Sequence, residues 1–236
     1  MAFPREIRTW LIAAALLLLA GYKGTEAFGN WGCAPECAAL RLAPPPPHPP
    51  LPHPCRPGLP GAGPLRIALF SDLHNNRELF TKAISHIEAA RPDLIIFGGD
   101  FIMVNDRFMR TRWAVEGLRK LRSIAPTFAI LGNQDYEHLE QVQRVFDTAG
   151  VPILRNQAVN WTTPGGSTLR IIGLGDWNEG DEAPATCMQP AGQESAPVLL
   201  LSHDPESRWL LRRYDWDLML SGHNHAPWDV ARDGRR

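Results

Sequence analysis

The sequence predicts an α/β layered domain, with sheet faces covered by helices, from Leu65 onward. Three observations predict it. Short apolar runs rich in β-formers alternate with amphipathic helical patterns. Almost every strand ends in a cluster of Gly, Asp, Asn or His. A proline tract separates this region from a different kind of N-terminus.

The elements follow in order. LRIALFS (65–71) reads as a buried strand, and a helix follows with Leu79, Phe80, Ala83, Ile84 and Ile87 on one face. LIIF (94–97) is a second strand, Phe108 to Leu121 a helix, and FAIL (128–131) a third strand. Glu137 to Ala149 reads as a helix with Leu139, Val142, Val145 and Phe146 inward, and Gly150 stands where a C-terminal cap belongs. LRIIGL (169–174), VLLLS (198–202) and DLMLS (217–221) complete the strands. No internal repeat is visible.

Residues 1–27 read as a targeting segment. Arg5 and Arg8 precede the apolar run Trp10 to Ala20, whose 11 residues are too short, at about 1.5 Å each, to span a core of about 30 Å. Length favours a signal peptide, with Thr25-Glu26-Ala27 as a cleavage site; a short signal anchor is the alternative. The leading positive charge predicts export of the remainder. Residues 28–64 form a linker that carries Cys33, Cys37 and Cys55, which could pair in an oxidising compartment. Its stretch 43–64 holds half of the chain's 22 prolines and should be extended polyproline II. His48 and His53 within it read as solvated. Residues 65–236 form the domain.

The chemistry follows the strands. LRIALFS leads into Asp72-Leu73-His74, and LIIF into Gly98-Gly99-Asp100. FAIL leads into Gly132-Asn133-Gln134-Asp135, VLLLS into His203, and DLMLS into Gly222-His223-Asn224-His225. Open α/β sheets bind ligands at the carboxyl edge of their strands. Carboxylates, imidazoles and one amide suit hard or borderline divalent metals, without selecting among Mn, Fe, Zn and Mg. In an extended loop, residues two apart point the same way, so Asp72 and His74 can grip one ion, and His223 and His225 repeat the spacing. Asp100 is the natural bridge between two ions. Each motif alone is common; the ordered set, each after an apolar strand, is not.

This ordered set (SDLHNN, GGDFI, LGNQDY, LSHDP, SGHNHA) resembles the calcineurin-like metallophosphoesterase superfamily, over about residues 65–228. The finer pattern is similar to a membrane-associated bacterial branch of phosphodiesterases and UDP-2,3-diacylglucosamine hydrolases of lipid A synthesis. The resemblance implies a two-sheet sandwich flanked by helices, in four layers, with two divalent metal ions. Asp72, His74 and His225 would hold one ion, Asn133, His203 and His223 the other, and Asp100 would bridge. Two cations about 3.5–4 Å apart would generate a bridging hydroxide that attacks phosphorus in line. The implied activity is hydrolysis of phosphoric esters or anhydrides, on a phosphate-containing small molecule or a lipid-linked substrate.

Two departures stand out. Gln134 occupies the place of the family histidine, which normally pairs with the next acid, here Asp135. Glutamine donates hydrogen bonds but carries no mobile proton, and general-acid assistance is worth about 10²–10⁴-fold. Gln134 therefore predicts a slower enzyme, or one that prefers good leaving groups. After His225 only Ala226 to Arg236 remain, with the tail DVARDGRR too polar for a core strand, so an incomplete second sheet is expected.

Other residues are weighed as follows. Trp177, Asn178, Glu179 and Asp181 either line a substrate mouth or form a solvated loop. Trp161, Trp209 and Trp216 read as core. Arg107, Arg110, Arg112, Arg119, Lys120 and Arg122 read as the wet face of a helix, and Ser71 and Ser202 lack the setting of a nucleophile. The net charge of −1 disfavours nucleic-acid binding, and no protein partner is predicted. The alternative to an enzyme is a catalytically weakened domain that binds metal or a partner. Localisation is expected to be membrane-associated or exported; a UDP-linked lipid would instead place the protein at the cytoplasmic face.

Overall fold

A computed structural model of the chain describes residues 13–16, 37–40, 65–102, 111–225 and 230–231. The proline tract, Arg107, Arg110 and most of the N-terminal segment lie outside the described residues. Two short strands, β1 (Ala13–Leu16) and β2 (Cys37–Leu40), pair antiparallel with Ala13 opposite Leu40. Among the described residues no helix is long and apolar enough to cross a membrane.

The domain has two sheets. β3 (Ile67–Phe70), β4 (Leu94–Phe97) and β5 (Thr127–Ala129) form a parallel three-stranded sheet. The second sheet runs β10-β9-β8-β7-β6. Its central strands β7 (Thr168–Gly173), β8 (Val198–Leu201) and β9 (Leu218–Leu220) are parallel. β6 (Gln157–Thr162) and β10 (Val230–Ala231) are antiparallel edges. Among its described residues the tail contributes the two-residue edge strand β10.

Alternation along each strand builds the layers. Ile67, Leu69, Leu94 and Ile96 pack with Leu169, Ile171, Leu199, Leu201 and Leu220 in a core between the sheets. The opposite faces of β3 and β4 turn Ala68, Phe70, Ile95 and Phe97 to the helices. These are α1 (Arg77–Ala90), α2 (Thr111–Ile124) and α3 (Leu139–Ala149). The outer face of the second sheet, with Ile172, Val198, Leu200 and Met219, is covered by Met188, Leu211 and Trp216. Helices, sheet, sheet and outer cover are the four layers expected.

Local chemistry explains the helix ends. Asn76 Oδ1 accepts from Leu79 N at 3.0 Å and caps α1. Phe80, Ala83 and Ile87, at helical spacing, are its buried face. Gly117 on α2 lets the Phe80 ring approach, since a Cβ there would lie 2.9 Å from its Cδ1. Gly150 closes α3 at φ 75°, its N–H donating to Phe146 and Asp147 carbonyls. A 3-10 turn over Asn133–His138 precedes α3, where the sequence reading had started an α-helix at Glu137.

Three sequence expectations need correction. FAIL gives only the short β5, although Ile130 N still donates to Phe97 O at 3.0 Å and Ile130 and Leu131 continue the alternation between the two cores. β6 was not foreseen: it is a half-exposed edge carrying Gln157 and Asn160. Trp209, assigned to the core, is 46% exposed, with the Arg212 guanidinium 4.6 Å from its ring. Trp216 is buried, and Trp161 packs half-buried against the inter-sheet core. Arg112 and Lys120 pair across helix surfaces with Glu116 and Glu88, as a wet face should.

Candidate metal centre

Strand register brings the ligand-type residues together. Phe70 pairs with Phe97 and Phe97 with Ala129, so the first sheet's three strands end level. Gly173 pairs with Leu201 and Leu201 with Leu220, so the second sheet ends level too. The loops are then laced by backbone hydrogen bonds: Asp72 N to Gly99 O at 2.9 Å, His74 N to Asp100 O at 3.1 Å and Gly222 N to His203 O at 3.0 Å.

Two groups of side chains converge. Asp72, His74 and His225 place ligand atoms within 4.8 Å of one another, as do Asp72, Asp100 and His203. Asp72 belongs to both. His74 Nε2 and His225 Nε2 face each other at 3.2 Å, with their rings stacked. His225 Nε2 lies 3.5 Å from Asp72 Oδ1, and His203 Nε2 lies 3.4 Å from Asp100 Oδ2. His223 Nδ1 meets Asn133 Oδ1 at 3.1 Å, and its ring stands edge-on to His203 at 5.2 Å. All seven residues singled out from the sequence as metal ligands thus gather at one edge. Gln134 joins through its backbone N–H, which donates to Asp100 Oδ1 at 3.0 Å.

Asp135, the acid next to Gln134, has a positioning task in the structure. It is fully buried, and its carboxylate accepts from four backbone N–H groups, those of Asp100, Phe101, Ile102 and Gly132, at 2.9–3.2 Å. It therefore fastens the loop after β4 to the loop after β5.

The backbone corrects a second expectation. The Asp72–His74 and His223–His225 loops are not extended. Asp72, His74, Asp100, His223 and His225 have φ of 55°, 45°, 57°, 70° and 50°, in the left-handed region. Each such residue costs about 1–2 kcal/mol relative to ordinary backbone. Lacing of the loops holds them there. Gly99 and Gly132 make the close approach possible: a Cβ on Gly99 would lie 2.6 Å from Gly132 N.

The donor set fits divalent cations. His203 Nδ1 lies 2.7 Å from the Gly98 carbonyl, which can only accept, so Nδ1 carries the proton and Nε2 is turned to the centre. His203 Nε2 is buried without a hydrogen-bond partner. Burial disfavours the charged imidazole of His203, but the Asp100 carboxylate 3.4 Å away, aided by Asp72, pushes it to about 9. Burial also disfavours ionised Asp100, yet His203 and the Gln134 N–H outweigh it and hold the carboxyl below its usual range. Burial pulls His74 below its ordinary value against the attraction of Asp100 and Asp72. Burial and the Asp100 charge push Asp135 to about 7, while its four N–H donors favour the ionised form.

Sequence reasoning missed Asp176 and Glu182. Asp176 is fully buried after β7: Oδ1 accepts from Asn178 N and Glu179 N, and Oδ2 has no hydrogen-bond partner. The Gly-Asp pair after an apolar strand, the same signal that marked Asp100, could have found it. Glu182 accepts from Ser202 Oγ at 3.2 Å, and burial pushes it to about 7. Asp181, weighed as a mouth residue, is engaged elsewhere. Arg155 grips it at 2.6 and 2.8 Å, and Tyr136 Oη donates to it at 2.7 Å. Asn178 ties its loop to the next by donating to Asp204 Oδ2 at 3.0 Å.

Comparison with known proteins gives the same reading. Phosphodiesterase YaeI of Escherichia coli is 34% identical over 173 residues, covering 70% of this chain and 62% of that protein. An uncharacterized metallophosphoesterase of Bacillus subtilis, YkoQ, is 29% identical, covering 72% of this chain and 64% of its own. UDP-2,3-diacylglucosamine pyrophosphatase LpxG of Chlamydia trachomatis is 28% identical over 219 residues, covering 69% of this chain and 64% of that protein. The chain thus spans less than two thirds of the length of these relatives. Residues 65–227 match the family described as calcineurin-like phosphoesterase, and the chain belongs to that family.

Proposed function

We propose that the chain is a two-metal-dependent hydrolase of phosphoric ester or anhydride bonds, a phosphodiesterase or pyrophosphatase. The observation that carries this reading is the pair of ligand groups sharing Asp72 at one sheet edge. Asp100 Oδ2, 3.9 Å from His74 Nε2 and 3.4 Å from His203 Nε2, reaches toward both groups, which suits a pair of neighbouring cations. Bound there, two divalent ions would supply positive charge to phosphate oxygens and lower the pKa of a water.

The chain's own residues do the remaining work in this reading. Asp72, His74 and His225 would hold one cation, and Asn133, His203 and His223 the other, with Asp100 available to both. Gly98 orients His203 through Nδ1. Gln134 fixes Asp100 through its main chain and offers an amide, not a proton, to the substrate. Asp135 positions both loops without meeting substrate. The missing proton donor favours substrates with good leaving groups, hence diesters and anhydrides over alkyl monoesters.

Of specific substrates, UDP-2,3-diacylglucosamine is the first to try, because LpxG is named for it. With this we propose that residues 1–27 serve as a signal peptide or short anchor and place the protein at a membrane. Hydrolysis of a chromogenic phosphodiester by the purified full chain with Mn²⁺, beside Asp100→Asn, tests the reading. Activity that disappears in the variant and with chelator is expected. A folded, metal-loaded and inactive protein would point instead to a weakened metal- or partner-binding domain.

A further inference from the structure

Among the described residues, Asp176 is the one acid whose carboxylate is buried with an oxygen left without a hydrogen-bond partner. Its other oxygen, Oδ1, is fixed by Asn178 N at 2.8 Å and Glu179 N at 3.2 Å. A buried carboxylate is ordinarily paired, hydrogen-bonded throughout or turned to a cation. The same condition marks His203 Nε2, a ligand-type atom of the centre that is also buried without a partner.

The fold places Asp176 beside that centre. Gly173 lies level with Leu201, so the loops after β7 and β8 leave the sheet side by side. Asn178 Nδ2 donates to Asp204 Oδ2 at 3.0 Å, which ties the Asp176 turn to the residue next to His203. Asp176 N donates to Tyr136 Oη at 3.0 Å, which ties it to the 3-10 turn that begins at Asn133. Tyr136 in turn donates to Asp181, at the far end of the same loop. Asp176 is therefore held between the two loops that carry Asn133 and His203. Burial raises its carboxyl above the ordinary value; His203 and the two N–H donors oppose the rise, and Asp100 adds to it. Charges at the centre thus act on this carboxylate through space. Asp204, the neighbouring acid, is already committed to Asn178 and to Glu206 N at 2.8 Å. Neither group of convergent ligand atoms includes Asp176, so it stands behind the ligands rather than among them.

We infer that Asp176 helps to hold the second cation, the one assigned to Asn133, His203 and His223, without ligating it. Its Oδ2 accepts a hydrogen bond from a water molecule that fills the step between carboxylate and cation, and its negative charge adds to the pull of the site. Groups just behind metal ligands commonly set the affinity of a site in this way. The inference rests on the two-cation reading and deepens it by adding a residue to that site.

Asp176→Asn changes the one atom at issue. The amide oxygen can keep the Asn178 and Glu179 N–H groups, while an NH₂ donor takes the place of the free oxygen. The full chain, freed of metal with chelator, is titrated with Mn²⁺, and free Mn²⁺ is read by its electron paramagnetic resonance signal. Two sites are expected in the parent, and Asp176→Asn should weaken one of them about 10–100-fold. Adding the substitution to ligand variants that leave a single site identifies which. In His225→Ala, where the second cation remains, it should weaken binding by the same factor. In His223→Ala, where the first remains, it should change binding by less than about twofold. Urea unfolding of the metal-free chain separates holding an ion from holding a loop. Asp176→Asn should be at least as stable as the parent there, because burial already disfavours the ionised form. Two sites of unchanged affinity in Asp176→Asn would overturn the inference alone, as would weakening in the His223→Ala background or a loss of metal-free stability. A parent that binds a single cation would overturn the two-cation reading and the inference with it.

Discussion

Replacing Gly132 with alanine tests the architecture of the centre with a single methyl group. Gly132 has φ −105° and ψ 171°, an extended conformation open to any residue, so alanine adds no backbone strain. The added Cβ would instead lie 2.5 Å from Asp100 N and 2.7 Å from His203 Nε2, and closer still to Asp100 Oδ1. Ordinary contact begins at 3.4 Å, so His203 must retreat by about 0.7 Å and the Asp100 carboxylate by more than about 0.9 Å, displacements worth on the order of 10²-fold in rate. The stability cost of such overpacking is about 1–3 kcal/mol, which a stable fold survives. Gly166→Ala is the matched control. It lies at φ 82° with nothing within 4 Å of the added Cβ, so it carries backbone strain without a clash. Steady-state hydrolysis of a chromogenic diester, with urea unfolding of both variants, gives the comparison. The expected result is a rate collapse for Gly132→Ala alone, although both variants lose stability. A Gly132→Ala enzyme turning over at the parent rate would refute the close approach of the three loops.

Other outcomes follow from the same geometry. Because Asp100 Oδ2 faces His74 at 3.9 Å and His203 at 3.4 Å, Asp100→Asn should lower bound metal to less than one ion per chain by elemental analysis, whereas His225→Ala should retain one. Equal losses would argue against the shared role. Asp135→Asn places an NH₂ group against two backbone N–H donors whichever way the amide turns, so a loss on the order of 3 kcal/mol is expected in denaturant unfolding; an unchanged midpoint would deny it the holding role. Glu182 is raised by burial from 4.5 to about 7. The stability associated with its protonated form is therefore complete below about pH 4.5 and lost as pH rises through about 7. Glu182→Gln should then be more stable than the parent at pH 8, by up to about 3 kcal/mol, and no more stable at pH 4. A pH-independent difference would contradict the assignment.

Much of this was legible in the sequence because burial leaves a simple trace. β3 and β4 are buried on both faces and read as unbroken apolar runs, and α1 and α3 show their inward faces at helical spacing. Gly150 announced its own cap. β6 was silent because an edge strand with one wet face needs no apolar run, and Asn160 and Trp161 can both be accommodated there. Trp209 misled because a large aromatic is ordinarily core, and a four-residue helix carries no readable face. The ligands were found by residue type and order, but their backbone was not. Extended spacing seemed sufficient to aim Asp72 and His74 together, whereas their actual conformation depends on hydrogen bonds to Gly99 and Asp100, 27 and 26 residues downstream. The holding role of Asp135 was hidden for a similar reason: nothing in its adjacency to Gln134 shows that the 3-10 turn buries its carboxylate against backbone N–H groups of another loop.

The left-handed backbone at five ligand positions restricts which substitutions this family can sample there. Among residues other than glycine, that conformation is adopted most readily by Asn, Asp and His, which are also the side chains short enough to bring an oxygen or imidazole nitrogen to a cation beside the main chain. Backbone and ligand chemistry therefore select the same small alphabet. A glutamate at position 72 or 100 would keep the charge and lose the conformation, and a valine or isoleucine at 223 would lose both. Drift at these sites should run toward Asn, Asp, His and Gly even in descendants that no longer turn over substrate. A sequence that keeps those letters can therefore be preserving a loop as much as a reaction.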